Sequence, residues 1–396
     1  MSTERPIIRL RPGRARLVRY GFPWVYADEL VLDRRTKNIP KGAIATLQDD
    51  KREPIGTVTV NTDSKIAVRL LDRDPAAVID QPWMEKRLRQ ALTLREALFD
   101  APFYRLVHAE ADGMPGVIID RFGDALVVQP NACWADVMWD VLERALVRVT
   151  GASVIVKNMS GRARVLEGLP EGLEVTTGAI SAPVPVPMNG ATYMADLIGG
   201  QKTGLFFDQR PNHAFAAGLA KGGDVLDVFS HVGGFGLAAL AQGATSALAV
   251  DGSAAALELA QAGAEAAGVL DRFDTRKGDA FEVMAQLTKE RAQFDVVICD
   301  PPAFAPNKGV LDKGLRAYER VARMASALVN PGGYLVLCSC SHAADIAKFR
   351  EVSLRGVSRA GRDAQLIYTG FAGPDHPVHP MLAESAYLKS IAVRLA

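Results

Sequence analysis

Hydrophobic positions change their spacing twice along the 396 residues, and each change marks a different kind of structure. From Ile7 to about Arg73 they fall in short β-branched runs, Ala43–Leu47, Pro54–Val60 and Lys65–Leu71, separated by turn residues. That pattern predicts a small β-barrel of a size that could fold alone. Asp72-Arg73-Asp74-Pro75 reads as a linker. From Trp83 to Phe99, Met84, Leu88, Leu92 and Leu94 fit one face of a helix. Gly116 to Gln129 predicts a hairpin turning at Gly123-Asp124, followed by a helix over Trp134–Val149 and a strand over Ser153–Val156. This middle region reads as α+β to about Pro187. From Gly190, strands at Val225–Val228, Ala247–Val250, Phe273–Arg276, Val296–Cys299 and Tyr334–Ser339 alternate with helices, and strands at Gln365–Tyr368 and Ser390–Val393 close the chain. Such alternation predicts an α/β doubly wound parallel sheet. The expected division is therefore 1–74, 75–188 and 189–396.

Composition narrows little. Apolar residues make up 48% and charged residues 23%, the ordinary globular mix, and the net charge of +1 carries no global sign of nucleic-acid binding. The charge is uneven, however: Arg5, Arg9, Arg11, Arg14, Arg16 and Arg19 crowd the first twenty residues against Glu4. No apolar stretch is long enough to span a bilayer, and the basic N-terminus lacks the apolar core and cleavage site of a secretion signal. The four cysteines, Cys133, Cys299, Cys338 and Cys340, match neither zinc-site nor disulfide spacing, so reduced thiols in a cytoplasmic protein without a metal are expected.

The run Asp224–Gly236 is a strand that enters a glycine-rich turn and then a helix. A dinucleotide site would read G-x-G-x-x-G. Here an acid, Asp227, stands ahead of late glycines, repelling a pyrophosphate but suiting a cationic, amino-bearing ligand. S-adenosylmethionine is thus favoured over NAD. Asp251 ends the next strand, where the ribose-binding acid of this fold class sits. After the third strand, Asp279 is placed to accept from the adenine amine and Phe281 to flank the ring. Phe229, Gly233, Gly252 and Ala280 complete the candidate lining. Any one of these acids could be a helix cap; three at successive strand ends beside a glycine turn favour a cofactor site.

Two further strand ends carry chemistry. One reads Cys299-Asp300-Pro301-Pro302, the other Ser339-Cys340-Ser341. Ligands in an open parallel sheet sit outside the carboxyl ends of the strands, so Asp300 and Cys340 point towards one crevice. Carbon-5 of cytosine is too weak a nucleophile to take a methyl group unaided, and a thiolate adding to carbon-6 activates it. Asp300, if protonated or suitably hydrogen-bonded, could hold the ring N3 and exocyclic amine of a base extruded from its stack. Free cysteines are usually small buried hydrophobes, which is our reading of Cys133 and Cys299. Cys338 and Cys340 share a strand face by the two-residue period, and Cys340 is favoured as nucleophile only because it lies nearer the strand's carboxyl end. His231 and His342 are plausible pocket residues without an assigned catalytic role.

At this point the chain resembles the bacterial large-subunit rRNA cytosine-5 methyltransferases. The resemblance rests on Lys202–Arg210, Asp300-Pro301-Pro302-Ala303-Phe304 and Ser339-Cys340-Ser341, with support from Glu110–Gly116, Asp375-His376-Pro377-Val378 and Tyr387-Leu388-Lys389. It implies a PUA-like RNA-binding domain, a central α+β domain and a Rossmann-like class I methyltransferase domain. It also implies methylation of cytosine in 23S rRNA, with Cys340 matching the family's thiol and with Phe207 and Arg210 approaching cofactor or substrate. Gly21-Phe22-Pro23-Trp24 departs by Phe22 from the family's His-Pro-Trp. Large-subunit rRNA is the implied partner, no membrane is involved, and a homodimer is left open. Two other readings stand beside this one: a guanine methyltransferase in which Cys340 is structural, and a non-catalytic RNA-binding assembly factor. The first is disfavoured by Cys340, the second by the joint presence of Asp227, Asp251, Asp279 and Asp300.

Overall fold

The computed structural model describes residues 5–200 and 204–396. They divide into two compact units, one of residues 5–181 with 374–385 and the other of 182–200 and 204–373 with 386–396. The sequence reading kept 189–396 together, whereas residues 374–385 pack with the first unit.

The first unit holds two five-stranded sheets. Strands β1 (Ile7–Arg9), β2 (Trp24–Tyr26), β3 (Ala43–Gln48), β4 (Pro54–Val60) and β5 (Ile66–Asp72) form a sheet in the order β1-β3-β4-β5-β2. Its β-branched inward positions, among them Ile8, Val25, Val58, Val60 and Val68, close a core of their own. The second sheet runs β10-β9-β8-β7-β6, from β6 (Phe103–His108), β7 (Val117–Phe122), β8 (Ala125–Pro130), β9 (Val154–Asn158) and β10 (Leu173–Thr177). The hairpin expected at Gly123-Asp124 joins β7 to β8. Helices Gln81–Leu98 and Trp139–Thr150 supply Met84, Leu88, Leu142 and Leu146 to the core beside this sheet. Asp80 caps the first of these helices through the Trp83 N–H.

Residues 374–385 are held in this unit by charge. Arg95, with none of its surface exposed, donates both terminal nitrogens to Asp112 at 2.7 Å and Nη2 also to the Asp375 carbonyl at 3.0 Å. The Asp375 carboxylate accepts from the Arg105 N–H at 3.0 Å and lies 3.0 Å from His376 Nδ1. Arg105 in turn forms a two-pronged pair with buried Asp120. Burial, with Arg105 and His376 adding to it, pushes the His108 imidazole down to about 2, so it stays neutral beside the Arg105 guanidinium.

The second unit contains a hairpin, β11 (Val184–Met188) with β12 (Ala191–Ala195), and a seven-stranded sheet. Its strands are β13 (Asp224–Val228), β14 (Ser246–Asp251), β15 (Phe273–Lys277), β16 (Phe294–Cys299), β17 (Val329–Ser339), β18 (Ala364–Phe371) and β19 (Lys389–Leu395), in the order β15-β14-β13-β16-β17-β19-β18. The first five are parallel; β19 pairs antiparallel with both β17 and β18, so the sheet is mixed rather than parallel throughout. Parallel strands buried on both faces read as continuous apolar runs, as Val296–Cys299 does. No helix among the described residues is long and apolar enough to cross a membrane.

Arg95→Met would strand Asp112 as a buried, unpaired charge, and loss of one partner of such a pair costs about 3–5 kcal/mol. All four tryptophans (Trp24, Trp83, Trp134 and Trp139) lie in the first unit, so the loss should appear in urea unfolding followed by tryptophan fluorescence.

Candidate active site

The site is assembled from strand ends that lie level. Val228 of β13 pairs with Val250 of β14 and Cys299 of β16, and Cys299 pairs with Leu337 of β17. The residues that follow, Phe229, Asp251, Asp300 and the Cys338–Cys340 segment, therefore emerge along one edge. With strands about 4.8 Å apart and about 3.3 Å per residue, the Asp300 and Cys340 backbones lie about 8 Å apart if β17 continues straight.

The turn after β13 is conformationally unusual. Phe229 and His231 take positive φ values of 62° and 51°, and Gly233 follows at 78°. Non-glycine residues held in this region cost of order 1–3 kcal/mol each and cluster at ligand sites. The turn is held from two sides. Asp251 accepts the His231 N–H at 2.9 Å with one oxygen and the Ser253 N–H at 2.8 Å with the other. Asp227, fully buried in β13, accepts the Gly236 N–H at 2.9 Å. Burial raises the Asp227 carboxyl to about 7, against the lowering effect of the Gly236 and Phe235 N–H groups; nearby Asp251 raises it further. Asp227 Oδ1 and Ser230 Oγ are buried without a hydrogen-bond partner among the described residues. Two orphaned acceptors beside an acid and a strained turn fit a ligand bearing an ammonium group.

The aromatic residues gather next to this turn. Phe229, Phe281 and Phe304 stand with ring centroids 6.4 Å apart in each pair, and the Arg320 guanidinium lies over Phe281 at 4.5 Å. Asp279 is exposed and caps the helix Ala280–Lys289 through the Phe281 and Glu282 N–H groups. Ala280 is buried beneath that cap and Gly252 is exposed beyond Asp251. Phe207 is buried, with the Arg210 guanidinium 5.6 Å from its ring centroid. Lys202 and Thr203, at the start of the motif run that ends on Arg210, lie outside the described residues.

Around Asp300 and Cys340 the structure adds residues that the sequence did not single out. Gln209 donates to Asp300 Oδ2 at 2.9 Å and accepts from Asn212, which in turn accepts from Tyr368. The two cysteines on β17 separate by environment. Cys338 is 1% exposed, its Sγ is 3.4 Å from Ser390 Oγ, and burial pushes its thiol well up, as it does that of Cys299. Cys133 is likewise buried and pushed up to about 12. Cys340 alone of the four is half-buried. Its neighbours Ser339 and Ser341 are fully buried and both hydrogen-bond Tyr318 Oη, at 2.9 and 2.6 Å, while Ser341 Oγ also accepts the Ala305 N–H. His231 packs against Phe206, and exposed His342 against Tyr387, whose hydroxyl donates to Asp208 at 2.5 Å. Gln209 lay within a quoted run, but its role depends on where Asp300 falls. Tyr318 sits mid-helix with no sequence signal at all.

A doubly wound sheet with a glycine turn at its reversal point, acids at successive strand ends and a preceding five-stranded domain defines a Rossmann-type methyltransferase with an RNA-binding-type module. The comparisons agree. Residues 139–364 match the S-adenosylmethionine-dependent methyltransferase family and residues 8–73 the PUA-like domain. Ribosomal RNA large subunit methyltransferase I of Shewanella denitrificans is 33% identical over 393 residues, covering 98% of this chain and 99% of its own. The protein of the same name from Photobacterium profundum is 33% identical over 395 residues, covering 97% and 98%. The chain belongs to the S-adenosylmethionine-dependent methyltransferases, in the family of these relatives, and S-adenosylmethionine is its cofactor. The fold also matches the structure of a proposed methyltransferase from Streptococcus mutans (TM-score 0.81, 18% identity, 98% of this chain and 100% of that one). A second match is a proposed methyltransferase complexed with SAH (TM-score 0.81, 20% identity, 98% and 99%).

Because the folded state holds a proton on Asp227 up to about pH 7 that the unfolded chain releases near pH 4, this group's contribution falls as pH rises through that window. Asp227→Asn is neutral throughout, so its Tm without cofactor should gain on wild type between pH 4 and 8. Calorimetric scans across that range check this.

Proposed function

We propose that this protein methylates carbon-5 of a cytosine in large-subunit ribosomal RNA through a covalent adduct to Cys340. The observation that carries the reading is the half-buried Cys340 at the strand-end edge that also bears Asp300, while the other three cysteines are buried. The names of the full-length relatives support ribosomal RNA as substrate. S-adenosylmethionine, when bound, supplies an electrophilic methyl group. Asp227, Ser230 and the turn from Phe229 to Gly233 would hold its amino-acid end, Asp251 its ribose, and Phe281 with Ala280 its adenine, while Phe207 and Arg210 would flank the site.

The chemistry then falls to the chain's own residues. Cys340 Sγ, as thiolate, adds to C6 of the base and the electron pair of the C5–C6 double bond moves to C5. C5 takes the methyl group, then gives up its proton to a water molecule, and the electrons of that C–H bond re-form the double bond as the S–C6 bond breaks and Cys340 leaves as thiolate. Asp300, fixed by Gln209, would as the protonated acid donate to N3 and accept from the exocyclic amine of an extruded base. Cys340→Ala should abolish methyl transfer while leaving cofactor affinity nearly unchanged, and Cys338→Ala should be mild. RNA carrying 5-fluorocytosine should trap wild type covalently, because fluorine does not leave as a proton does. Methylation by Cys340→Ala, or a methylated guanine in nucleoside mass spectrometry, would overturn the mechanism. Asp251→Ala should weaken cofactor binding by about 1–3 kcal/mol in calorimetry, the value of hydrogen bonds to a charged acceptor.

The N-terminal arginines divide by their partners. Arg5 bonds Thr57 and the carbonyls of Pro75 and Ala77, Arg11 the Leu30 carbonyl, and Arg19 pairs with Asp49 at 2.7 Å. Arg14 and Arg16 are exposed beside Leu17 and Tyr20 in a surface concavity, Arg14 in a loose 3.9 Å ion pair with Glu29 and Arg16 over the Tyr20 ring. These two are the arginines we assign to RNA phosphates. Replacing both with alanine should weaken RNA binding and flatten its salt dependence, by about 0.7 per lost phosphate contact on a single strand. Filter binding at several salt concentrations measures it.

A further inference from the structure

We propose that Lys389 is a positioning residue for Cys340: it fixes the Ser339–Ser341 turn and its ammonium stabilises the thiolate form of the nucleophile. The inference rests on the reading of Cys340 as the attacking group. Lys389 begins β19 directly opposite Ser339 in the antiparallel ladder with β17. A lysine this buried, 4% exposed, is uncommon, and an ammonium needs a compensating partner there. Its Nζ reaches past the end of β17 and donates to the Ser341 carbonyl at 2.5 Å, one residue beyond Cys340. The turn is thus gripped from three directions: by Lys389 on β19, by Tyr318 on the helix Leu311–Ser326, and by the Ala305 N–H from the segment after Asp300. A neutral donor could also hold the Ser341 carbonyl, so bracing alone does not call for an ammonium. The charge matters because Nζ sits at the residue following Cys340 and the two groups interact, each favouring the other's charged form.

Charged and titratable groups act on this pair from several elements. From the helix Ile346–Arg359 comes its N-cap Asp345, itself beside Lys348; from Leu311–Ser326 comes Tyr318; from the turn, Cys340. Asp300, at the neighbouring strand end, also raises the buried thiols of Cys338 and Cys299. Burial lowers the Lys389 ammonium to about 8, with Cys340 and Asp345 opposing the shift. At neutral pH it is therefore mostly charged. A cation beside a cysteine is a standard means of lowering a thiol's pKa, and the proton released from Sγ passes to water while the lysine keeps its own.

The test uses the full-length protein and the rate of iodoacetamide alkylation at Cys340, followed by peptide mass spectrometry from pH 5.5 to 10. Wild type should show a midpoint below the ~8.5 of an ordinary thiol. Lys389→Met should raise it by about one unit, a tenfold loss of thiolate at neutral pH, and Lys389→Arg should restore most of the shift. Adduct formation with 5-fluorocytosine RNA by Lys389→Met should fall about tenfold at pH 7 and recover at pH 9, following the same arithmetic. A wild-type midpoint at or above 8.5, which needs no variant to fold, would overturn the proposal. So would an unmoved midpoint in folded Lys389→Met, since a bracing role alone does not change thiol ionisation. Persistent methylation by Cys340→Ala is a different failure: it would remove the nucleophile reading itself and leave the alkylation midpoints as measured.

Discussion

The parallel register of β13, β14, β16 and β17 is the constraint on which everything else at this site depends. Once those strands run the same way and end level, every residue that follows a strand end is delivered to one edge of the sheet. The strand order adds the second requirement. On one side of β13 the chain proceeds outward through β14 and β15, and on the other it jumps to β16 and β17. Successive connections therefore leave in opposite directions, opening a crevice where the order reverses. The strained turn after β13 and the Asp300 segment after β16 flank that crevice, so the two proposed halves of the site are set on adjacent strands by topology before any side chain acts.

Much of this was legible because parallel strands buried on both faces leave long apolar runs, and because turns between them carry acids and glycines. Where the sequence fell short, the missing information lay in pairing between distant segments. Period-two reasoning placed Cys338 and Cys340 on one face and could go no further. What separates them is β19, whose Ser390 lies against Cys338 and whose strand seals it from solvent. Asp279 shows the converse: the capping geometry a lone acid always offers is what it adopts, and one carboxylate oxygen accepts both helical N–H groups. Tyr318 left no trace in local pattern, and Gln209 and Lys389, although they stand in the motif runs, showed nothing of what they touch, since each acts on a residue tens of positions away.

The antiparallel return of β19 also explains why the mixed sheet matters chemically. A parallel β19 would present its carboxyl end beside that of β17. Running the other way, it places its first residues, Lys389 and Ser390, at the level of Ser339 and Cys338. This edge of the sheet thus receives side chains from a strand's beginning as well as from strand ends, and Lys389 there is buried rather than snorkelling to water.

The assignment of residues 374–385 to the first unit bears on how the protein can be taken apart. A gene fragment starting at Ala182 would encode the seven-stranded sheet together with a foreign loop inserted between β18 and β19. That loop carries Asp375 and His376, both interior residues, with Arg95 and Arg105 left behind on the missing piece. Isolated in this way, the catalytic half would expose a carboxylate evolved for enclosure, flanking the very strand that seals Cys338. A clean excision would have to join Gly373 to Ala386 by a new, polar linker, so the natural boundary of the catalytic half is a pair of cuts and not a single one.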